Sequence, residues 1–309
     1  MTLDDITSKG NPMRLLVTGA SGWIGSATVT ELIAAGHHVL GLARSDEAAA
    51  KVDKLGAEVV RGSLDDLASL RAAAGRAEGV VHLGYSHDFS QMAAAARMDL
   101  TAIETFADVL EDSNGPLLIA SGTLGLATGR IGTERDMPNI SMHPRLGNAA
   151  YTLSLVERGI RAMVMRFSPT VHGAGGDHGF VSVLASIARK KGVSAYIGDG
   201  RNRWSAVNRL DAGKLVQLAI DKAPAGSVLH AVGEEGVATR EIAAALGQFL
   251  NAPVTTIPAD QAREHFDWLG MFFGLDAAAS SAATRELLDW QPRHPTLLED
   301  IAAGHYRGE

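Results

Sequence analysis

The chain has 309 residues, 46% of them hydrophobic and 20% charged. That composition excludes intrinsic disorder and leaves room for one large α/β domain or two smaller ones. A formal net charge of −7, with no basic run longer than Arg189-Lys190-Lys191, excludes an extended nucleic-acid surface, and the absence of cysteine excludes disulfides, a thiolate nucleophile and cysteine metal sites.

Residues 1–12 are polar and read as a flexible N-terminus without an apolar signal segment. The longest charge-free stretch, 113–129, is broken by Asn, Pro, Thr and Gly, so no membrane span is expected and the expected location is cytoplasmic. From residue 13 apolar runs alternate with helical patterns. Strands are expected at 13–17, 38–43, 57–60, 79–84, 116–120 and 161–167, with helices ending near Gly36 and at 46–55, 65–74, 90–110 and 145–158. Strands that are apolar on both faces and alternate with helices predict a doubly wound parallel sheet, a Rossmann fold, over 13–170. Beyond that the rhythm breaks at Gly173, Gly175, Gly176 and Gly179. Residues 171–309 read as a smaller, mainly substrate-binding lobe that returns in part to the sheet.

The stretch Val17-Thr18-Gly19-Ala20-Ser21-Gly22-Trp23-Ile24-Gly25 joins the first strand to the first helix. Gly19 permits a tight turn, Gly22 lets backbone approach a pyrophosphate, and Gly25 lets the helix lie close to the strand. The helix N-terminus then offers amides from Ser21, Trp23 and Ile24 to phosphate oxygens. An NAD-specific turn carries an acidic residue at the end of the second strand. Here that position reads Ala43-Arg44-Ser45, where Arg44 offers a planar fork and Ser45 a hydroxyl to a 2′-phosphate, so NADP is the expected cofactor. Asp46 is expected to cap the helix that follows.

With Val80-Val81-His82-Leu83-Gly84, Ala120-Ser121-Gly122-Thr123 and Arg166-Phe167-Ser168-Pro169-Thr170-Val171-His172-Gly173, the chain resembles the short-chain dehydrogenase/reductase superfamily in its extended, epimerase/dehydratase-like branch. The resemblance implies cofactor contacts at Leu83, Gly84, Arg166 and Ser168. It also implies a Ser/Thr–Tyr–Lys catalytic set with Tyr and Lys four residues apart on a helix. None of Tyr85, Tyr151, Tyr196 or Tyr306 is followed by lysine at that spacing. Counting back from Gly159 puts Arg145 at the lysine position and Ser141 at the tyrosine. Arginine can hold ribose hydroxyls but does not titrate as a base. Tyr151 falls about 240° round the helix from Arg145 by the 3.6-residue period, and reads as a core or interface residue.

The proton donor must then lie elsewhere. Tyr85 follows the fourth strand at the rim where ligands bind, with Ser121 and Thr123 as polarising hydroxyls. His87, His143 and His172 are further candidates because histidine titrates near neutrality. The histidines lack paired helical spacing, so no metal is expected. The apolar-aromatic run Trp268-Leu269-Gly270-Met271-Phe272-Phe273-Gly274-Leu275 reads as core, dimer contact or the roof of an apolar pocket, and Arg201, Arg203 and Trp204 as a diphosphate contact or a solvated loop. Asp99 and Asp211 read as structural. Small residues at Ala149, Ala150, Thr152 and Ser154 permit a homodimer. The expected function is an NADPH-dependent oxidoreductase acting on a small, apolar carbonyl or alcohol. A sugar-nucleotide epimerase or dehydratase, and a non-catalytic NADPH-binding sensor or scaffold, are the alternatives.

Overall fold

The computed structural model describes residues 11–86, 91–127, 129–138, 140 and 144–306. Its first half alternates strand and helix: β1 (Arg14–Thr18), α1 (Trp23–Ala35), β2 (His38–Ala43), α2 (Asp46–Lys54), β3 (Glu58–Arg61), α3 (Leu67–Ala74), β4 (Gly79–His82), α4 (Met92–Leu110), β5 (Pro116–Gly122), α5 (Arg145–Ser154) and β6 (Arg161–Phe167). Then come β7 (Thr170–His172), α6 (Phe180–Lys191), β8 (Ser194–Ile197), β9 (Arg203–Asn208), α7 (Arg209–Lys222) and β10 (Val228–Ala231). The chain ends with β11 (Glu234–Ala238), α8 (Thr239–Leu250), β12 (Val254–Ile257), α9 (Ala262–Phe266), α10 (Gly270–Phe273), α11 (Ala282–Leu288) and α12 (Leu297–Ala302).

The main sheet has seven strands in the order β10-β6-β5-β4-β1-β2-β3. Every pairing in it is parallel, and β10 docks on β6 with His230 opposite Arg166. The apolar runs become strands because both faces are covered. Leu15, Leu16 and Val17 are all 0% exposed, with Leu15 and Val17 in one core and Leu16 in the other. One core lies under α1 and α7, the other under α3, α4 and α5. A third core holds the C-terminal lobe, where β7, β9 and β11 form one small sheet and β8 pairs with β12.

Local chemistry shifts some boundaries. The side chain of Asp66 accepts the Ser69 amide at 3.1 Å and starts α3 at Leu67, two residues later than the polar pattern suggests. The helix expected over 145–158 tightens into a 3-10 turn at Leu155–Arg158 and stops at Gly159, whose φ is +69°. Ser45, not Asp46, caps α2: its hydroxyl accepts the Ala48 amide at 3.2 Å, while Asp46 pairs with Arg61. Among the described residues, no helix is long and apolar enough to cross a membrane.

Helices α1 and α7 approach closely because α7 carries glycine at the crossing. A Cβ at Gly213 would lie 2.8 Å from the Ala27 carbonyl carbon. Gly213→Ala should therefore force the pair apart and lower stability by roughly 1–3 kcal/mol, the usual cost of overpacking a filled core. Chemical denaturation checks this; an unchanged midpoint would mean that the helices separate without loss.

Candidate cofactor and active site

The turn after β1 is built as a cradle. Gly19 has φ +68°, and the Gly22 amide donates to its carbonyl at 2.9 Å. A Cβ at Gly19 would lie 2.8 Å from the Gly84 nitrogen, and one at Gly25 would collide with the Gly19 carbonyl oxygen. Gly22 caps α1 without a side chain, so the first amides of the helix, beginning at Trp23 and Ile24, face outward unblocked. This cradle fits the pyrophosphate of a dinucleotide: side chains are absent where phosphate oxygens must approach, and the helix dipole favours the charge. At the end of β2, Arg44 and Ser45 are exposed. Among the described residues Arg44 has no hydrogen bond or ion pair, which leaves its fork open, and the Ser45 hydroxyl hydrogen remains available beyond its capping bond.

Residue alternation along the strands then lines up a second feature. Leu16, Val80, Leu117, Ile119, Ala162 and Val164 belong to the core under α4 and α5. Two residues further along each strand, the same face carries Thr18, His82, Ser121 and Arg166. The apolar layer thus ends in a polar row at the carboxyl ends of β1, β4, β5 and β6. Register places Thr18 opposite His82 and Ser121 opposite Arg166.

Helix α4 supplies a carboxylate to this row. Thr18 Oγ1 accepts the Gly84 amide at 3.0 Å and lies 2.7 Å from His82 Nδ1. The Thr18 hydroxyl and His82 Nδ1 share a hydrogen bond, and His82 Nε2 faces Asp99 Oδ1 at 3.3 Å. The other Asp99 oxygen accepts from Asn148 Nδ2 at 2.7 Å and lies 3.8 Å from Arg145 Nε. His82 is 0% exposed and Asp99 2%. Burial works against the charge on Asp99, but His82, Arg145 and Asn148 together hold its carboxyl below the usual carboxylate range. The Arg145 guanidinium lies over the Tyr85 ring, 3.8 Å from its centroid. Burial draws Arg145 down from its usual value, against the pull of Asp99 and Tyr85. Burial raises the Tyr85 phenol, which Arg145 partly offsets and Asp99 reinforces. Arginine and phenol thus meet from different elements, α5 and the segment after β4.

Other expected residues are committed elsewhere. The Thr123 hydroxyl is buried 3.2 Å from Ser205 Oγ on β9, which ties the lobes together. The Ser121 side chain has no hydrogen bond among the described residues, so of the two hydroxyls it is the one available to a ligand. Arg166, expected at the cofactor, is 2% exposed and donates to the Asp136 carbonyl at 2.9 Å, with His230 Nε2 at 3.4 Å. It clamps the 130–136 loop. Ser168, also expected there, donates to the Ala231 carbonyl at 2.9 Å and fastens β10. His172 is 0% exposed, 2.6 Å from Asp300 and 3.6 Å from Glu234; its carboxylate neighbours make it a tie between β7 and α12 rather than a donor to substrate. Ser141, His87 and His143 lie outside the described residues.

Tyr151 packs on the core under α5. Asp211 accepts the amides of Arg293 and His294 at 2.9 and 3.0 Å, a structural role as expected. Arg203 forms a paired contact with Asp276, and Trp204 is fully buried. Leu269 and Phe273 are core, whereas Trp268 and Phe272 are partly buried around Phe180. Leu124, just past β5, packs against the same C-terminal core.

The sequence marks Asp99 only as structural, and its position at the junction of His82, Asn148 and Arg145 emerges from the fold. An aspartate on the buried face of an alanine-rich helix is the signal that could have found it. Asp99→Ala would leave His82 and Arg145 facing a void, and breaking such a buried pair costs about 3 kcal/mol. Because the carboxyl is held below its unfolded value of 3.8, its contribution is complete above that pH and disappears as pH falls through the folded value. Denaturation of wild type and Asp99→Ala at pH 7 and pH 3 checks both magnitude and sign: the gap must shrink at the lower pH.

The matching family model is the NAD dependent epimerase/dehydratase family, over residues 15–232. The chain is 44% identical to the uncharacterized protein C2A9.02 of Schizosaccharomyces pombe over 296 residues, covering 95% of this chain and 100% of that protein. It is 26% identical to a 4-hydroxy-2-methyl-3-oxo-4-farnesyl-3,4-dihydroquinoline-1-oxide ketoreductase of Stigmatella aurantiaca, over 81% of this chain and 78% of that one. Among solved structures it superposes on the UDP-glucose 4-epimerase of Thermus thermophilus in complex with NAD. There the TM-score is 0.75 at 21% identity, over 96% of this chain and 99% of that chain, a likeness of fold. With the glycine cradle, the parallel sheet and the family model in agreement, the chain belongs to the NAD-dependent epimerase/dehydratase family.

Proposed function

We propose that this member is an NADPH-dependent oxidoreductase that reduces a small, largely apolar carbonyl compound. The observation that carries this reading is the Arg145–Tyr85 stack beside Asp99, in a chain without the family's tyrosine–lysine pair. A phenol is protonated at neutral pH, and burial pushes Tyr85 further above its usual value, which suits it to act as an acid and poorly as a base. Net reduction needs one proton delivered to the carbonyl oxygen; epimerisation and dehydration also need a base that takes protons up. The farnesylated substrate in the ketoreductase relative's name agrees with a carbonyl reductase, and the partly buried Phe180–Trp268–Phe272 group offers apolar surface in the C-terminal lobe.

In this reading the cradle Gly19–Gly25 and the amides of Trp23 and Ile24 hold the pyrophosphate, Leu83 and Gly84 border it, and Arg44 with Ser45 receives the 2′-phosphate. When bound, the reduced nicotinamide would supply a hydride to the carbonyl carbon. Ser121 hydrogen-bonds the carbonyl oxygen, Tyr85 gives it a proton and is reprotonated from water, and the fixed charge of Arg145 stabilises the phenolate left behind. Asp99 holds Arg145 in place, acting through it as a positioning residue.

Tyr85→Phe should lower NADPH oxidation on a panel of ketones by roughly 100-fold or more, the usual contribution of a general acid, with the NADPH dissociation constant unchanged. Wild-type turnover should persist into mildly alkaline pH, because the phenol is raised and stays protonated there. Unchanged turnover in Tyr85→Phe would remove Tyr85, and NADPH binding with no turnover across the panel would overturn the reductase reading.

Thermal shifts separate the cofactors. Ligand at 100 times its dissociation constant adds about 2.7 kcal/mol of stability. NADPH should shift wild type more than NADH at equal concentration, and Arg44→Ser should erase that difference. Equal shifts in wild type would defeat the assignment of Arg44.

A further inference from the structure

We propose that Arg209, the first residue of α7, is an anion clamp that meets the dinucleotide pyrophosphate beside the glycine cradle. The inference rests on the dinucleotide reading above and extends it to a residue outside the cofactor turn. The Arg209 guanidinium lies over the Trp23 ring, 4.4 Å from the centroid, and its Nη1 is 3.3 Å from Ser26 Oγ. Both contacts are on the first turn and a half of α1, the helix whose leading amides face the phosphate position. Trp23 is itself fixed, its indole N–H donating to the Val171 carbonyl at 2.8 Å. The aromatic platform under the guanidinium therefore cannot swing away without breaking a bond to β7.

Charge makes the case specific. Arg209 is partly buried, and burial alone draws it below its usual value; no carboxylate opposes that effect. Among the described residues Arg209 is in no ion pair. A partly desolvated guanidinium without a counter-charge is costly unless an anion meets it, and its planar fork matches phosphate oxygens. The chain shapes room for this side chain. A Cβ at Gly173 would lie 3.2 Å from Arg209 Cγ, and one at Gly175 would lie 3.7 Å from Nη2. Gly173, Gly175 and Gly176 have φ of +149°, +105° and +92°, so the loop wraps the arginine in a backbone conformation open to glycine. Asn208 fixes the start of α7 by accepting the Leu210 amide at 3.0 Å and donating to Asp300 at 3.1 Å. Arg209 is thus presented from a fixed helix start, between an aromatic plate and a glycine loop, beside the amides that receive the pyrophosphate.

The test is titration of purified wild type, Arg209→Met and Arg209→Lys with NADPH and NADH, alongside thermal melts of each protein without ligand. For the dinucleotide that wild type binds more tightly, Arg209→Met should raise the dissociation constant roughly tenfold or more, the effect of losing a charge-assisted hydrogen bond. Arg209→Lys should recover most of that loss. The ligand-free melting point of Arg209→Met should equal or exceed that of wild type, because an unopposed charge has been removed from a partly buried site. An unchanged dissociation constant in Arg209→Met would overturn the clamp while leaving the cofactor reading intact. A parallel fall of ligand-free stability and affinity would also overturn it, as the mark of a packing residue. Failure of wild type to bind either dinucleotide would overturn both.

Discussion

The buried carboxylate of Asp99 is the constraint on which the site depends. A carboxylate that is 2% exposed needs partners near it, and here they come from two elements packed against α4: His82 on β4, and Asn148 and Arg145 on α5. Through His82 the constraint reaches Thr18, and through Thr18 the amide of Gly84, which backs the glycine turn. Through Arg145 it reaches Tyr85. The cofactor cradle and the candidate proton donor are therefore not independent constructions. One buried carboxylate links them: Asp99 accepts from Asn148 at 2.7 Å and faces His82 at 3.3 Å and Arg145 at 3.8 Å.

How far this is legible in the sequence follows from what each residue's signal consists of. Strand β6 is expected at 161–167 and is found at Arg161–Phe167, because a strand covered on both faces must be apolar throughout and shows itself as a run. The glycine cradle is legible for the opposite reason: its requirement is steric and falls on the backbone at fixed spacing, as the collisions a Cβ would suffer at Gly19 and Gly25 show. Arg145 can be placed by counting from Gly159, since helix and strand lengths are regular even where the catalytic pair is absent.

Side-chain direction at the carboxyl ends is not legible. Arg166, Ser168 and His172 sit where the rim of such a sheet should bind ligands, yet each turns to a partner far along the chain: Asp136, Ala231 and Asp300. Their neighbours in sequence give no hint of those partners. His82 and Asp99 escape notice in a related way. Each interrupts an otherwise apolar face once, and a single polar residue on a buried face acquires meaning only when the residue across from it is known. Parity along the strand carries part of that information. Thr18, His82, Ser121 and Arg166 all lie two residues beyond a core position on the same face, a pattern that parallel registers alone make visible.

In the proposed reading Arg145 and Tyr85 stand in for the family's usual pair, and that exchange has a chemical direction. A lysine beside a tyrosine on one helix lowers the phenol toward neutrality and lets it work as acid and base. Arginine also carries a positive charge, but a delocalised one, and here it stacks on the ring face instead of approaching the hydroxyl end-on. Its pull on the phenol is correspondingly incomplete: burial and the charge of Asp99 prevail, and the phenol stays above its usual range. In the proposed reduction such a site would hold its proton until a developing alkoxide demands it. The same arginine, anchored by Asp99, then faces the phenolate that results. Under that reading the pair is biased toward giving a proton, the half of acid–base chemistry that carbonyl reduction uses.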